Sequence, residues 1–190
     1  MLIHSVPRKF FLTRGVGVHQ EKLVSFELAL RGARISPFNL VTVSSIIPPH
    51  CELVEVEDGL VHLSHGEIVY CVLSTTDTDQ PGQGIVSSIG MAIPEDPNQH
   101  GYLSEHHAID QTETEAGAYA EKLAYIMLTT ALGIPAYAGI QPSQPASNHG
   151  GNGSGLDDMS LVRQRKGIAQ SAVGQDGSWT TVVAAAVFAD

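Results

Sequence analysis

Residues 38 to 49 read Phe38-Asn39-Leu40-Val41-Thr42-Val43-Ser44-Ser45-Ile46-Ile47-Pro48-Pro49, and their alternation decides the class of fold. Leu40, Thr42 and Ser44 fall on one side and Val41, Val43 and Ser45 on the other, the period of two that a strand imposes on its side chains. A strand is therefore expected over 38 to 46. Pro48 and Pro49 have no N–H to offer a ladder, so it stops against them and leaves a serine pair at its end.

Working outward, Lys9 to Val16 reads as a strand, and a helix is expected from about Gln20 to Ala33, where Leu23, Phe26, Leu30 and Ala33 recur at helical spacing and Gly32 marks the end. Ile68 to Ser74, Ile85 to Ile93 and Gly101 to Ile109 are β-rich runs bounded by turn residues. A second helix is signalled by the capping box Thr112 with Glu115 and by Gly133 and Pro135 at its end; Ala116, Tyr119, Ala120, Leu123, Ile126, Met127 and Thr130 trace its expected buried face. Ile168 to Val173 and Trp179 to Phe188 flank Gly174-Gln175-Asp176-Gly177, the pattern of a terminal hairpin. Two amphipathic helices and many strands must cover one another's apolar faces. The expected fold class is α+β, a layered α-β-β-α sandwich with mostly antiparallel sheets and helices on the outer faces.

The chain has 190 residues, enough for one sizeable core, and is expected to form a single domain over 1–190. Only Ala136 to Gly155, rich in Gly, Pro, Ser, Asn and Gln, reads as a flexible surface loop. A formal net charge of -10 argues against a nucleic-acid partner, which would need clustered Lys and Arg. Cys51 and Cys71 have neither metal-type spacing nor a disulfide framework, which suits a reducing compartment. There is no signal-peptide pattern at the N-terminus and no apolar run of the roughly 20 residues that span a bilayer, so a cytoplasmic protein without a membrane partner is expected.

Chemistry concentrates at the serine pair. The Ser45 hydroxyl could add to the carbonyl of Ser44 and turn the peptide into an ester; elimination across Ser45 would leave a dehydroalanine, which hydrolyses to a pyruvoyl group. The tetrapeptide Val-Ser-Ser-Ile occurs twice, at 43 to 46 and at 86 to 89, and most adjacent serines are inert. The first pair lies between an upstream Asn39 and the Pro-Pro that would hold its backbone rigid; the second has neither.

The resemblance extends well beyond the dipeptide. Val6-Pro7-Arg8-Lys9-Phe10-Phe11-Leu12 with Gly15-Val16-Gly17, Ser25-Phe26-Glu27-Leu28-Ala29-Leu30, Asn39 to Pro49, Gly101-Tyr102-Leu103-Ser104-Glu105-His106-His107-Ala108 and Trp179 to Val187 together resemble the pyruvoyl-dependent arginine decarboxylases over most of the chain, apart from Ala136 to Gly155. The resemblance implies self-cleavage between Ser44 and Ser45 into a β chain of residues 1–44 and an α chain of residues 45–190. It further implies a covalent pyruvoyl cofactor made from Ser45. That group would hold L-arginine as a Schiff base and draw electrons as carbon dioxide leaves to give agmatine, in the role that pyridoxal phosphate plays elsewhere. A homotrimer of αβ protomers, with the site between neighbouring subunits, is implied as well.

Further residues carry over by position. Asn39, six residues before Ser45, matches the family residue that assists self-processing, where an amide could hydrogen-bond the oxyanion; alone it would read as a strand-opening residue. Glu105 matches the acid that donates a proton to the carbanion, a role that needs a carboxyl with a raised pKa. Glu27 matches the acid that pairs with the substrate guanidinium, for which a carboxylate suits the planar donor fork, although by itself it reads as a helix-surface partner of Arg31. Leu30, one turn on, would contact the substrate's methylene stem. No metal is expected, because His106 and His107 are adjacent on a strand and point to opposite faces. Two other readings stand beside this one. One is a pyruvoyl decarboxylase of another amino acid, such as histidine or lysine; the other is an unprocessed, non-catalytic trimeric homologue.

Overall fold

Two sheets face one another across a shared core and a long helix covers the outer face of each, in a computed structural model that describes residues 6–133 and 161–190. The elements in order are β1 (Lys9–His19), α1 (Lys22–Gly32), β2 (Asn39–Thr42), β3 (Ile46–Ile47), β4 (Glu52–Leu53), α2 (Val56–Leu60), β5 (Ile68–Thr78), β6 (Gly84–Pro94), β7 (Gly101–Ile109), α3 (Glu113–Ala131), β8 (Val162–Val173) and β9 (Trp179–Ala189). One sheet runs β2-β5-β9-β1-β4 and the other β3-β7-β6-β8. Among the described pairings, β1 with β4 and β2 with β5 are parallel and the rest antiparallel. The α+β sandwich expected from the sequence is the one observed.

Phe10, Val72, Ile89, Met91, Leu103 and Phe188 fill the space between the sheets. Fully burying each such side chain contributes roughly 1.5–3 kcal/mol. α3 begins with the expected capping box: Glu115 N–H donates to the Thr112 hydroxyl at 3.3 Å, and Thr112 N–H donates back to the Glu115 carboxylate at 3.1 Å. The segment 136–155, read as a flexible loop, lies outside the described residues.

Both helix faces differ from the expected ones in the same way. In α1 the buried residues are Ser25 and Ala29, with Ala33 just beyond, whereas Leu23 is 77% exposed and Phe26 and Leu30 only flank the contact. In α3, Ala116, Gly117, Ala120, Ala124, Leu128 and Thr129 are buried, while Tyr119, Leu123, Ile126 and Met127 are half-buried and Thr130 is exposed. The reason lies in the strands beneath. A Cβ on Gly17 of β1 would stand 2.1 Å from the Ser25 carbonyl oxygen, and one on Gly90 of β6 would stand 2.1 Å from the Ala120 backbone. Helix backbone rests on bare strand backbone, so the smallest side chains face the sheet and the large ones straddle it. Gly17→Ala is accordingly expected to cost about 3 kcal/mol, read as a lower urea midpoint at unchanged slope.

The expected terminal hairpin is also corrected. β8 pairs with β6 in one sheet and β9 pairs with β1 and β5 in the other, so the turn at 174–178 carries the chain between sheets. β9 is apolar on both faces, and a central position in a covered sheet buries both.

Candidate functional site

After Thr42 the chain leaves one sheet and joins the other. Its last bond to the first sheet runs from Val43 N–H to Cys71 O at 2.9 Å; Leu103 N–H then donates to Ser45 O at 2.7 Å. Ile46 and Ile47 pair with Tyr102 and Gly101 of β7. The strand expected over 38 to 46 is thus two short edge strands in different sheets, with Val43, Ser44 and Ser45 between them. Alternation continues through the crossover because Ile47 must still reach the inter-sheet core, so periodicity cannot register the change of hydrogen-bond partner.

The Ser44–Ser45 peptide is the crossover itself. Ser44 is exposed and Ser45 half-buried. The Ser44 carbonyl accepts a bond from Ile46 N–H at 2.9 Å, an i to i+2 closure that makes Ser45 the centre of a γ-turn. Among the described non-glycine residues, left-handed backbone occurs at Arg34, His50 and Asp110, not at the serine pair.

Glu105 lies on the same strand as Leu103, two residues and about 7 Å further along. Ser104 and His106 turn toward α3, the first donating to Ala120 O and the second packing its ring 4.6 Å from that of Tyr119. Leu103, Glu105 and His107 therefore take the opposite face, toward the gap between the sheets. Glu105 is exposed by surface area, yet neighbouring atoms desolvate it in part and move its carboxyl above the usual range, against the opposing pull of His107. Burial, reinforced by the Glu105 charge, pushes the Cys71 thiol up to about 11. Glu105 thus sits near the residue whose carbonyl holds Val43.

A family model described as pyruvoyl-dependent arginine decarboxylase matches residues 9–190. Similar proteins include pyruvoyl-dependent arginine decarboxylase 2 of Methanosarcina mazei, 46% identical over 183 residues that span 96% of this chain and 97% of the relative. A pyruvoyl-dependent arginine decarboxylase of Methanococcoides burtonii is 45% identical with 96% and 98% covered, and a probable one of Chlorobaculum tepidum is 46% identical with 96% and 97% covered. This chain belongs to the pyruvoyl-dependent arginine decarboxylase family. Its cofactor is a covalently held pyruvoyl group.

The residues at position 45 fit that group: a serine follows a carbonyl that already accepts a hydrogen bond, at a bend held from both sheets. The second Val-Ser-Ser-Ile does not. Ser87 and Ser88 are 0% exposed inside β6, paired on one side with β7 and on the other with β8. Their hydroxyls serve the packing, Ser87 bonding Thr76 at 2.8 Å and Ser88 donating to Ala116 O at 3.1 Å.

The remaining decarboxylase candidates stand elsewhere in the chain. Asn39 opens β2, and its side-chain amide donates to Gly66 O at 2.7 Å, while its N–H donates to Glu67 O at 2.8 Å. Glu27 is on α1, paired with Arg31 at 2.6 Å, and Leu30 packs against the core beneath α1. α1 covers the outer face of β1 and β9, whereas Glu105 lies on the face of β7 opposite α3. Groups that the sequence could not single out are the Leu103 and Ile46 amides and the Cys71 carbonyl, because every non-proline residue carries the same main-chain groups. Among the described residues, no helix is long and apolar enough to cross a membrane, and His106 and His107 take opposite faces of β7.

Proposed function

We propose that this decarboxylase cuts itself between Ser44 and Ser45 and that the pyruvoyl group formed at position 45 serves to convert L-arginine to agmatine and carbon dioxide. The observation that carries this reading is the crossover peptide, whose carbonyl is hydrogen-bonded while its duplicate in β6 is sealed in a ladder. The pyruvoyl group supplies an electron-withdrawing carbonyl next to an amide. Glu105, whose carboxyl is moved upward by partial desolvation, is the proton donor to the α-carbon of the substrate after carbon dioxide has left. Glu27 takes the guanidinium; in this structure its carboxylate already binds one, that of Arg31, which free arginine would displace. Leu30 lines the methylene stem, and Asn39 assists the cut.

Glu27 stands on α1, which covers β1 and β9, and Ser45 at the crossover between the sheets, and the family resemblance implies a site between subunits. We therefore propose a homotrimer of αβ protomers with the site between subunits, in the cytoplasm, with no nucleic-acid or membrane partner. Mass spectrometry of purified protein is expected to show residues 1–44 and 45–190 as separate pieces. An intact chain with full activity would refute the reading, and a cut after Ser87 would move it to the other pair.

Turnover of L-arginine is expected to exceed that of L-histidine and L-lysine, because only a guanidinium fills a carboxylate with two parallel donors. Glu27→Gln removes a charge-assisted bond worth roughly 1.5–3 kcal/mol, so KM for L-arginine should rise about 10- to 100-fold. An unchanged KM would remove Glu27 from the binding role.

A further inference from the structure

We propose that the main-chain N–H of Ile46 is the oxyanion donor of self-cleavage, an inference that rests on the cut falling between Ser44 and Ser45. In the first step the Ser45 hydroxyl oxygen bonds to the Ser44 carbonyl carbon, and the carbonyl oxygen takes up the negative charge. The carbon–nitrogen bond of the peptide then breaks, and the hydroxyl proton ends on the Ser45 nitrogen. The oxygen that becomes negative is the one that Ile46 N–H already meets at 2.9 Å. A donor placed before the charge appears does not have to reorganise as it forms, and its bond strengthens with the charge.

The sheet register explains why this amide is available. Ile46 stands opposite Tyr102, while Leu103 N–H bonds to Ser45 O. That pattern makes Ile46–Tyr102 the non-hydrogen-bonded kind of antiparallel pair, in which each residue turns its own N–H and C=O away from the partner strand. β3 is an edge strand, so no further strand claims the Ile46 amide, and it folds back onto Ser44 O. The turn is clamped on both sides, by Val43 N–H on Cys71 O at 2.9 Å and Leu103 N–H on Ser45 O at 2.7 Å. At the second Val-Ser-Ser-Ile, the equivalent Ile89 is paired with Glu105 on one side and Ile168 on the other. The same four residues there carry no free amide. The Asn39 side-chain amide places one of its two N–H donors on Gly66 O at 2.7 Å, and the donor observed on the scissile carbonyl is Ile46 N–H.

The test is a time course of cleavage in refolded full-length chain, followed by mass. Cys51 allows synthetic residues 1–50 to be ligated to recombinant residues 51–190, so the 45–46 amide can be replaced by an ester. The ester keeps the Ile46 side chain, removes the N–H and weakens, without removing, the Ser45 carbonyl that Leu103 N–H meets; Ile46→Pro removes the N–H and keeps an amide carbonyl. Relative to the ligated all-amide chain, the ester chain and Ile46→Pro should each be cut about 100- to 1,000-fold more slowly, with unchanged circular dichroism and elution volume. Neither change removes a ladder bond. Should either variant misfold, the uncut Ser45→Ala chain supplies the second readout. Its Ile46 amide should exchange with deuterium more slowly than an open chain, and an isotope-edited infrared band of the Ser44 carbonyl should lie at lower frequency than in an unfolded control. Equal cutting of the ester and amide chains, or open-chain exchange at Ile46, would overturn the proposal. An all-amide chain that is not cut after Ser44 would instead bring down the cleavage reading beneath it.

Discussion

Ser45→Ala is expected to leave one uncut chain of 190 residues with no measurable decarboxylation, a loss of roughly 10⁶-fold or more, which is the lower end of what enzymes supply. The hydroxyl is the nucleophile of the cut, and its oxygen then leaves on the Ser44 carboxylate. Water hydrolyses the dehydroalanine left at position 45 to the pyruvoyl group with release of ammonia, so removing the hydroxyl stops both events. The fold should survive. Ser45 is held through its carbonyl by Leu103 N–H, and alanine keeps that bond. Ser87→Ala is the matched control in the identical tetrapeptide: it removes the hydroxyl bonded to Thr76 and should lower stability by about 1 kcal/mol while the cut after Ser44 proceeds. Denaturing electrophoresis and intact mass separate these outcomes. A Ser45→Ala chain that still releases carbon dioxide from L-arginine would mean that no group derived from this serine takes part.

The second large effect falls on turnover alone. Glu105→Gln should be cut like the wild type yet decarboxylate about 10²- to 10⁴-fold more slowly, the usual contribution of a placed proton donor. Partial desolvation raises the Glu105 carboxyl and His107 works against it, and the sign of the pH effect follows. A donor acts in its protonated form, so its contribution is complete below the raised pKa and falls away as pH climbs through it. Glu105→Gln should abolish that descending limb. His107→Gln, which removes the opposing charge, should move the limb to higher pH. A wild-type profile and a Glu105→Gln profile of the same shape would exclude Glu105 as the donor.

Much of this molecule was legible in one dimension. The capping box at Thr112 and Glu115, the β-rich runs that became β5 and β7 and the apolar β9 identify an α+β sandwich because local hydrogen bonding and residue propensity depend only on near neighbours. The faces of the helices were not legible. Leu23 looks like a core residue by spacing, and only the close approach of α1 to Gly17 makes Ser25 and Ala29 the buried ones. The hairpin across 174–178 failed for a related reason: a turn sets the direction of the chain and leaves open which sheet receives the next strand.

The serine pair divides the two kinds of knowledge most sharply. Residue identity alone established that the chain contains a hydroxyl one bond away from attacking its own main chain, and the motifs around it established the family. Two copies of Val-Ser-Ser-Ile are indistinguishable as strings. Tertiary structure separates them, since a peptide bonded to strands on both sides has its amides and carbonyls consumed, whereas a peptide crossing between two sheets keeps an amide free to meet its own carbonyl. Hydrogen-bond partners in a sheet come from residues distant in sequence, and that pairing is decided only when the sheets assemble.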